Sequence, residues 1–359
     1  MKIVSITNTD EVIRETIKIL SKGGLVIFPT ETSYGMAVDA SNKEAVTKLL
    51  KYKQRPVGKA ISIAVNTKEM ASKYIELNPT AEKIIKNFLP GPVTVVSKSL
   101  GQVDLRLEAE NGTLGIRIPN YKFVLDLIED YGKPITSTSA NVGGGKTPYS
   151  INDVLDDLSE TKSELIDLVI DAGVLPKNPP STVIDTTTSD LKIYRQGRID
   201  PTKMNLFEER ETNNVEDTIE FGKELIEKVN NNRPIVILLS GELGAGKTHF
   251  TKGIAKGLGI PQVIKSPTYT YVSEYKAGDR ILYHFDAWRI QTKEDLEALR
   301  FYDWFKPGNT IVVEWPSVIM SLDENFFENL EYFYVDFVIL SEESRNIKIF
   351  KTRNEQTTR

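Results

Sequence analysis

Two kinds of apolar run alternate along this chain. Apolar residues recurring every three or four positions predict helices, and short unbroken apolar stretches predict strands buried on both faces of a sheet. Ile235-Val236-Ile237-Leu238-Leu239 is the clearest stretch of the second kind. Beyond it Phe250, Ile254 and Leu258 keep helical spacing and Gly259 supplies a stop, so strand, turn and helix follow in that order. Near the start, Thr9-Asp10 open a helix with an apolar stripe of Val12, Ile13, Thr16, Ile17 and Leu20, ended by Gly23-Gly24. Residues 25–28 then read as a buried strand, and Ser41-Asn42-Lys43-Glu44 has the form of a capping box opening the next helix. The alternation continues with strands at 60–65, 93–96, 114–118 and 135–139 and helices at 80–88 and 123–131. A further helix starts at Ser150, and strands follow at 168–171, 182–185 and 192–195. This pattern predicts twisted α/β sheets with helices packed on them.

Past Gly197 the pattern dissolves. Residues 199–214 hold Pro201, several acidic side chains and few apolar ones, which predicts a linker, and helical periodicity resumes at Val215 with Ile219, Leu225, Ile226 and Val229. The expected organisation is a domain over 1–198, the linker, a second domain over 215–350 with a last edge strand near Ile347–Phe350, and a polar tail over 351–359. A length of 359 residues suits two domains.

Composition narrows the chemistry. Apolar content of 40% and charged content of 26% are those of an ordinary folded protein, and a net charge of −5 gives no global pull toward nucleic acid. The absence of cysteine excludes disulfides and thiolate zinc sites, and two histidines leave little for a histidine-based metal site. No apolar run approaches the roughly 18 residues of a membrane span, and the start is too short for a signal sequence, so a cytoplasmic protein without membrane contact is expected.

Gly241-Glu242-Leu243-Gly244-Ala245-Gly246-Lys247-Thr248 fits the Walker A pattern, and it lies between the predicted strand and helix. Its glycines let backbone N–H groups curl around phosphate oxygens, the helix N-terminus adds positive potential, Lys247 reaches the outer phosphates and Thr248 can ligate Mg²⁺. ATP or GTP is the expected ligand. Hydrolysis also needs carboxylates, and Asp286 and Glu314 each follow an apolar strand; either alone could merely end its strand, but the two together favour a metal and water site. With Ser266-Pro267-Thr268-Tyr269, Tyr283-His284-Phe285-Asp286-Ala287-Trp288-Arg289 and Val313-Glu314-Trp315, the loop resembles TsaE (YjeE), the small ATPase of tRNA threonylcarbamoyladenosine synthesis, over residues 207–350. The resemblance implies that Glu242, Leu243, Gly244, Ala245, Gly246, Lys247, Thr248, His249 and Trp315 surround ATP. It further implies that Thr248, Asp286 and Glu314 serve Mg²⁺ and hydrolysis, and that Thr268 lies on a switch-like loop. Glu242, His249 and Ala287-Trp288 depart from the residues usual in that family, without removing a proposed ligand.

The first half carries polar clusters at strand ends. Pro29-Thr30-Glu31-Thr32-Ser33-Tyr34-Gly35 puts hydroxyls directly after an apolar strand, Lys53-Gln54-Arg55-Pro56 and Lys59 put cations before another, and Ser137–Asn141 adds hydroxyl and amide groups. Arg117 and Arg195 sit inside apolar strands, where a cation is costly unless it is paired or faces a cleft. An anion-binding cavity explains both, and outward-facing positions would explain either alone. Residues 140–147 imitate Walker A but lack its first glycine and run into Pro148, so they read as a turn.

Together with Pro90-Gly91-Pro92, Arg117-Ile118-Pro119, Ser139-Ala140-Asn141 and Pro180-Ser181-Thr182-Val183-Ile184-Asp185, these clusters resemble TsaC (YrdC-like) proteins across residues 1–198. That family makes threonylcarbamoyl-adenylate from L-threonine, bicarbonate and ATP and releases pyrophosphate. The resemblance implies that Lys53, Arg55, Ser139, Asn141 and Arg195 hold ATP, with Lys53 and Arg55 catalytic, and that Thr32, Arg117 and Ser181 place threonine or its carbamate. The expected whole is a YrdC-like twisted α/β domain followed by a P-loop NTPase α/β domain. It would serve a TsaB/TsaD-type transferase complex and, through that complex, tRNA. The competing expectations are a YrdC-like RNA-binding module joined to a regulatory P-loop switch, and a carbamoyl-adenylate activity like that of hydrogenase-maturation proteins.

Overall fold

A computed structural model describes residues 1–54, 59–141, 145–156, 158–188, 190–229, 233–323, 326–327 and 330–352. The chain forms two compact units, Met1–Thr202 and Lys203–Arg359. Strands of the first unit are β1 (Lys2–Ser5), β2 (Val26–Phe28), β3 (Gly35–Ala37), β4 (Ile63–Ala64), β5 (Val93–Lys98), β6 (Thr113–Arg117), β7 (Ile135–Thr136), β8 (Thr138–Ser139), β9 (Leu168–Asp171), β10 (Thr182–Asp185) and β11 (Lys192–Arg195). They make a five-stranded sheet, β1-β9-β2-β3-β8, and a six-stranded sheet, β11-β10-β5-β6-β4-β7.

The stretch 135–139, read from sequence as one strand, is divided at Ser137: β7 belongs to the six-stranded sheet and β8 to the five-stranded one. A single extended strand cannot pair in both. Hydrogen bonds pin the crossing point, with Ser137 N–H donating to the Ser62 carbonyl at 2.8 Å and Thr136 N–H to that of Val38 at 2.9 Å. The expected capping box at Ser41 is also corrected. Asn42 caps helix Lys43–Lys53, accepting from the N–H groups of Glu44 and Ala45, while the Ser41 hydroxyl donates to Asp39.

The second unit holds β12 (Met204–Thr212), β13 (Ile235–Ser240), β14 (Val272–Ala277), β15 (Arg280–Asp286), β16 (Thr310–Glu314), β17 (Tyr332–Ile339) and β18 (Arg345–Thr352). They form one sheet in the order β12-β18-β17-β13-β16-β15-β14, parallel across β17, β13, β16 and β15 and antiparallel at both margins. The predicted linker therefore contains a strand. Residues 204–212 pair with β18 along the sheet edge, and an edge strand with one face in water can be dense in charge. Its polar side chains are engaged, Arg210 with Glu224 at 2.7 Å and Glu208 with Lys228 at 2.7 Å, and Phe207 meets Phe333 edge-on at 5.4 Å.

Helices Val215–Glu227 and Lys247–Gly257 carry Phe221, Leu225, Phe250 and Ile254 into the core under this sheet. Glycines set how closely these helices pass: a Cβ on Gly253 would stand 1.9 Å from the Ile219 carbonyl oxygen, and one on Gly222 2.2 Å from that of Phe250. Neither backbone can yield without moving the Walker helix. Gly253→Ala is expected to destabilise the second unit by about 2–3 kcal/mol through overpacking, read as a lower urea midpoint, while Lys256→Ala on the exposed face changes it by less than about 0.5 kcal/mol.

Candidate active sites

Parallel pairing brings the chemistry of the second unit to one end of its sheet. Glu314, at the end of β16, is the register partner of Leu239 in β13 on one side and of Asp286 in β15 on the other. Ligands of open α/β sheets gather beyond such carboxyl ends. The turn after β13 needs left-handed backbone at Gly244 (φ 79°) and at Gly246 (φ 98°), the residue from which helix Lys247–Gly257 starts. Lys247 is buried, and its ammonium donates to the carbonyls of Gly241 at 3.0 Å and Glu242 at 2.9 Å and lies 4.3 Å from the centre of the Trp315 ring. Burial pulls its pKa below the usual lysine value, against the opposing charges of Glu314, Asp286 and Glu242.

Glu314 is the junction of this site. One carboxylate oxygen accepts from His284 Nε2 at 2.9 Å and from the Thr248 hydroxyl at 3.2 Å. Burial alone would push its carboxyl up, but His284, the Lys247 ammonium and the Thr248 hydroxyl together hold it below the usual glutamate value. Asp286 instead accepts from the Thr268 hydroxyl at 2.8 Å and the Trp288 N–H at 3.0 Å, and Trp288 leans on Trp315 at 4.9 Å. Glu242, Leu243 and Gly244 are exposed, Ala245 is buried, and the half-buried His249 is held below its usual pKa by burial and by Lys252 and Arg345. Thr248 and Glu314 present hard oxygens 3.2 Å apart beside a Walker lysine, a donor set that fits Mg²⁺, which takes one or two protein oxygens and completes its shell with phosphate and water.

The first unit builds three clusters. In the first, Arg117 at the end of β6 reaches out of the six-stranded sheet to the loop after β2, where it pairs with Glu31 and donates to the Thr32 hydroxyl at 3.4 Å. Thr30 and Thr32 share a hydroxyl contact of 2.9 Å, and Asn178 donates to the Glu31 carbonyl at 2.7 Å. Ser181 centres the second cluster: its hydroxyl meets Thr94 at 2.9 Å, and the exposed Arg195 donates to its hydroxyl and its carbonyl, each at 3.0 Å. In the third, the Lys53 ammonium donates to the carbonyls of Ser139 at 2.8 Å and Asn141 at 2.6 Å, and the Ser139 hydroxyl donates to Asn141 at 2.5 Å. Pairing of Gly35 with Ser139 puts this third cluster beside β3, the strand that leaves the loop of Thr32.

Comparison with known proteins decides the kinship. The family model described as Telomere recombination, for Sua5, YciO and YrdC proteins, matches residues 18–197, and that described as Threonylcarbamoyl adenosine biosynthesis protein TsaE matches residues 212–347. The chain belongs to both families. Among relatives, a Methanocaldococcus jannaschii protein provisionally named threonylcarbamoyl-AMP synthase is 33% identical over 55% of this chain and 94% of its own length. The tRNA threonylcarbamoyladenosine biosynthesis protein TsaE of Haemophilus influenzae is 32% identical over 38% of this chain and 84% of its own. The crystal structure of P. abyssi Sua5 complexed with L-threonine shares the fold at a TM-score of 0.52 and 22% identity, covering 89% of this chain and 95% of that one. Among the described residues no helix is long and apolar enough to cross a membrane.

In the YrdC-family unit, Thr32 and Arg117, both expected on threonine, are in contact, and Lys53 contacts Ser139 and Asn141, all three expected on ATP, whereas Ser181, expected on threonine, is held by Arg195, expected on ATP. Arg55 lies outside the described residues, as does the middle of the turn at 140–147. In the TsaE-family unit, Lys247, Thr248, Glu314 and Trp315 converge, while Asp286 is tied to Thr268 instead. Sequence reasoning passed over Glu31 and His284. The signal for His284 was there, a basic ring within an apolar strand, and attention to strand ends alone missed it.

Proposed function

We propose that the chain carries two enzymatic steps of tRNA threonylcarbamoyladenosine biosynthesis in the cytoplasm. The first unit converts L-threonine, bicarbonate and ATP into L-threonylcarbamoyladenylate with release of pyrophosphate. The second hydrolyses ATP to ADP in support of a TsaB/TsaD-type transferase complex that delivers the group to tRNA. The observation carrying this reading is the union, in one chain, of the two families whose relatives bear these names.

In the first reaction the amine of threonine captures carbon dioxide as a carbamate, and a carbamate oxygen attacks the α-phosphorus and expels pyrophosphate. Nothing here calls for a cysteine or histidine nucleophile. Lys53, Arg55, Ser139, Asn141 and Arg195 hold the nucleotide, and Thr32, Arg117 and Ser181 hold threonine or its carbamate, so that catalysis rests on positioning and on neutralising charge. In the second reaction Lys247 exchanges its two backbone carbonyls for phosphate oxygens, and Glu314, fixed by His284, orients the attacking water. Thr248 with Glu314 or Asp286 would hold Mg²⁺, which would supply further charge neutralisation on the phosphates.

The test is product identification with the full chain, L-threonine, bicarbonate, ATP and Mg²⁺. Mass spectrometry is expected to find a threonylcarbamoyl adduct of AMP, and omission of threonine or bicarbonate lowers pyrophosphate release at least tenfold. Pyrophosphate release indifferent to both omissions would sink the reading.

A further inference from the structure

Glu31 and Arg117 form a buried ion pair, their side chains only 6% and 8% exposed. Arg117 Nη2 donates to Glu31 Oε1, its Nη1 donates to Thr32, and the Glu31 carbonyl is anchored by Asn178. The pair is therefore held from three directions. Yet Glu31 Oε2 and Arg117 Nε are both buried without a hydrogen-bond partner among the described residues. Buried polar atoms are seldom left so, and the penalty is greater for charged groups.

The two spare atoms are of opposite kinds. One is an acceptor on an anion, the other a donor on a cation, and they belong to the same pair. An ion pair serving only as a staple would use both oxygens and the side edge of the guanidinium on each other, as Asp104 and Arg106 do through Nε and Nη2. What complements the spare atoms is the zwitterionic end of an α-amino acid, with its ammonium as donor and its carboxylate as acceptor.

We propose that Glu31 contacts the substrate: Oε2 accepts a hydrogen bond from the α-nitrogen of the amino acid while Arg117 Nε donates to its carboxylate. This rests on the reading that the first unit binds threonine and adds the residue that reads its nitrogen. The contact survives the chemistry, because a carbamate nitrogen keeps one hydrogen to donate. It also makes the site selective for amino acids over hydroxy acids of the same shape, since a hydroxyl offers a neutral donor where the carboxylate expects a cation.

Calorimetry on the full chain decides it, with L-threonine and its analogue bearing a hydroxyl in place of the α-amine as probes. The wild-type chain is expected to bind threonine at least 100-fold more tightly than the analogue. Glu31→Gln, which keeps the shape and removes the charge, is expected to weaken threonine at least tenfold, leave the analogue and ATP within about twofold, and so narrow the discrimination. Equal weakening of both probes would reduce Glu31 to a positioner of Arg117 and overturn the proposal, as would an unchanged threonine affinity. Should Glu31→Gln fail to fold, wild-type affinity that is equal for the two probes still refutes it. A wild-type chain that binds ATP and no threonine overturns the functional reading itself, and this inference with it.

Discussion

Glu314→Gln is expected to lower ATP hydrolysis by the second unit by about 10²–10³-fold while nucleotide affinity stays within a fewfold, a loss confined to the transition state. The magnitude follows from where the carboxylate sits. It is buried between the Walker lysine and a histidine, it accepts from the Thr248 hydroxyl, and its charge is kept by those neighbours against the pull of burial. The amide retains the size and one acceptor and loses the negative charge that water activation and metal binding need. Asp286→Asn separates the two carboxylates. Asp286 is already engaged by Thr268 and the Trp288 N–H, so its loss is expected to slow hydrolysis less and to loosen the Thr268 loop, seen as faster proteolysis or amide exchange there. Orthophosphate release and nucleotide binding, measured on each variant, check both statements. Equal rates for Glu314→Gln and wild type would remove Glu314 from the reaction, and pyrophosphate release by the first unit should be untouched in either.

The parts of this molecule that could be read from the sequence are those where one physical requirement dominates. A strand buried on both faces must be apolar throughout, so β13 and β16 were legible, and a tight turn into a helix needs its glycines at fixed places, so the turn from β13 into helix Lys247–Gly257 was legible too. Arg117 was legible for the opposite reason, since a cation in an apolar strand demands a partner, and it has Glu31. Arg195 met the same sequence criterion but is exposed, its guanidinium lying on Ser181. Strand patterning does not say which face of an edge pair water covers, and β11 is the last strand of its sheet.

What was hidden depended on partners distant in the chain. Strand β12 looks like a linker because an edge strand is stabilised by its neighbour, here β18 more than 130 residues away, and carries little apolar signal of its own. The division of 135–139 between two sheets depends on Ser62 and Val38, which no local window contains. Glu31 sits one position before a residue that the family resemblance singled out. Its importance appears only when Arg117 and Asn178 close around it.

Arg117→Ala is expected to abolish threonine-dependent pyrophosphate release, by at least about 10³-fold, and to destabilise the first unit by about 3–5 kcal/mol, because it strands the Glu31 carboxylate in a buried site. Taken alone, the first effect could be mistaken for a consequence of the second. The double variant Arg117→Met with Glu31→Met separates them. Replacing both members of a buried ion pair by hydrophobic groups of similar volume is often neutral, so stability should return to within about 1 kcal/mol of wild type. Activity should not return, since the amino acid has lost both its cation and its anion. Arg117→Lys keeps a charge without the planar fork, and it is expected to recover stability in part and threonine affinity very little, because a point cation cannot serve Glu31, Thr32 and a substrate carboxylate at once. Urea denaturation paired with the pyrophosphate assay measures the two quantities on the same preparations. A double variant as active as wild type would show that the pair is structural and that threonine is held elsewhere.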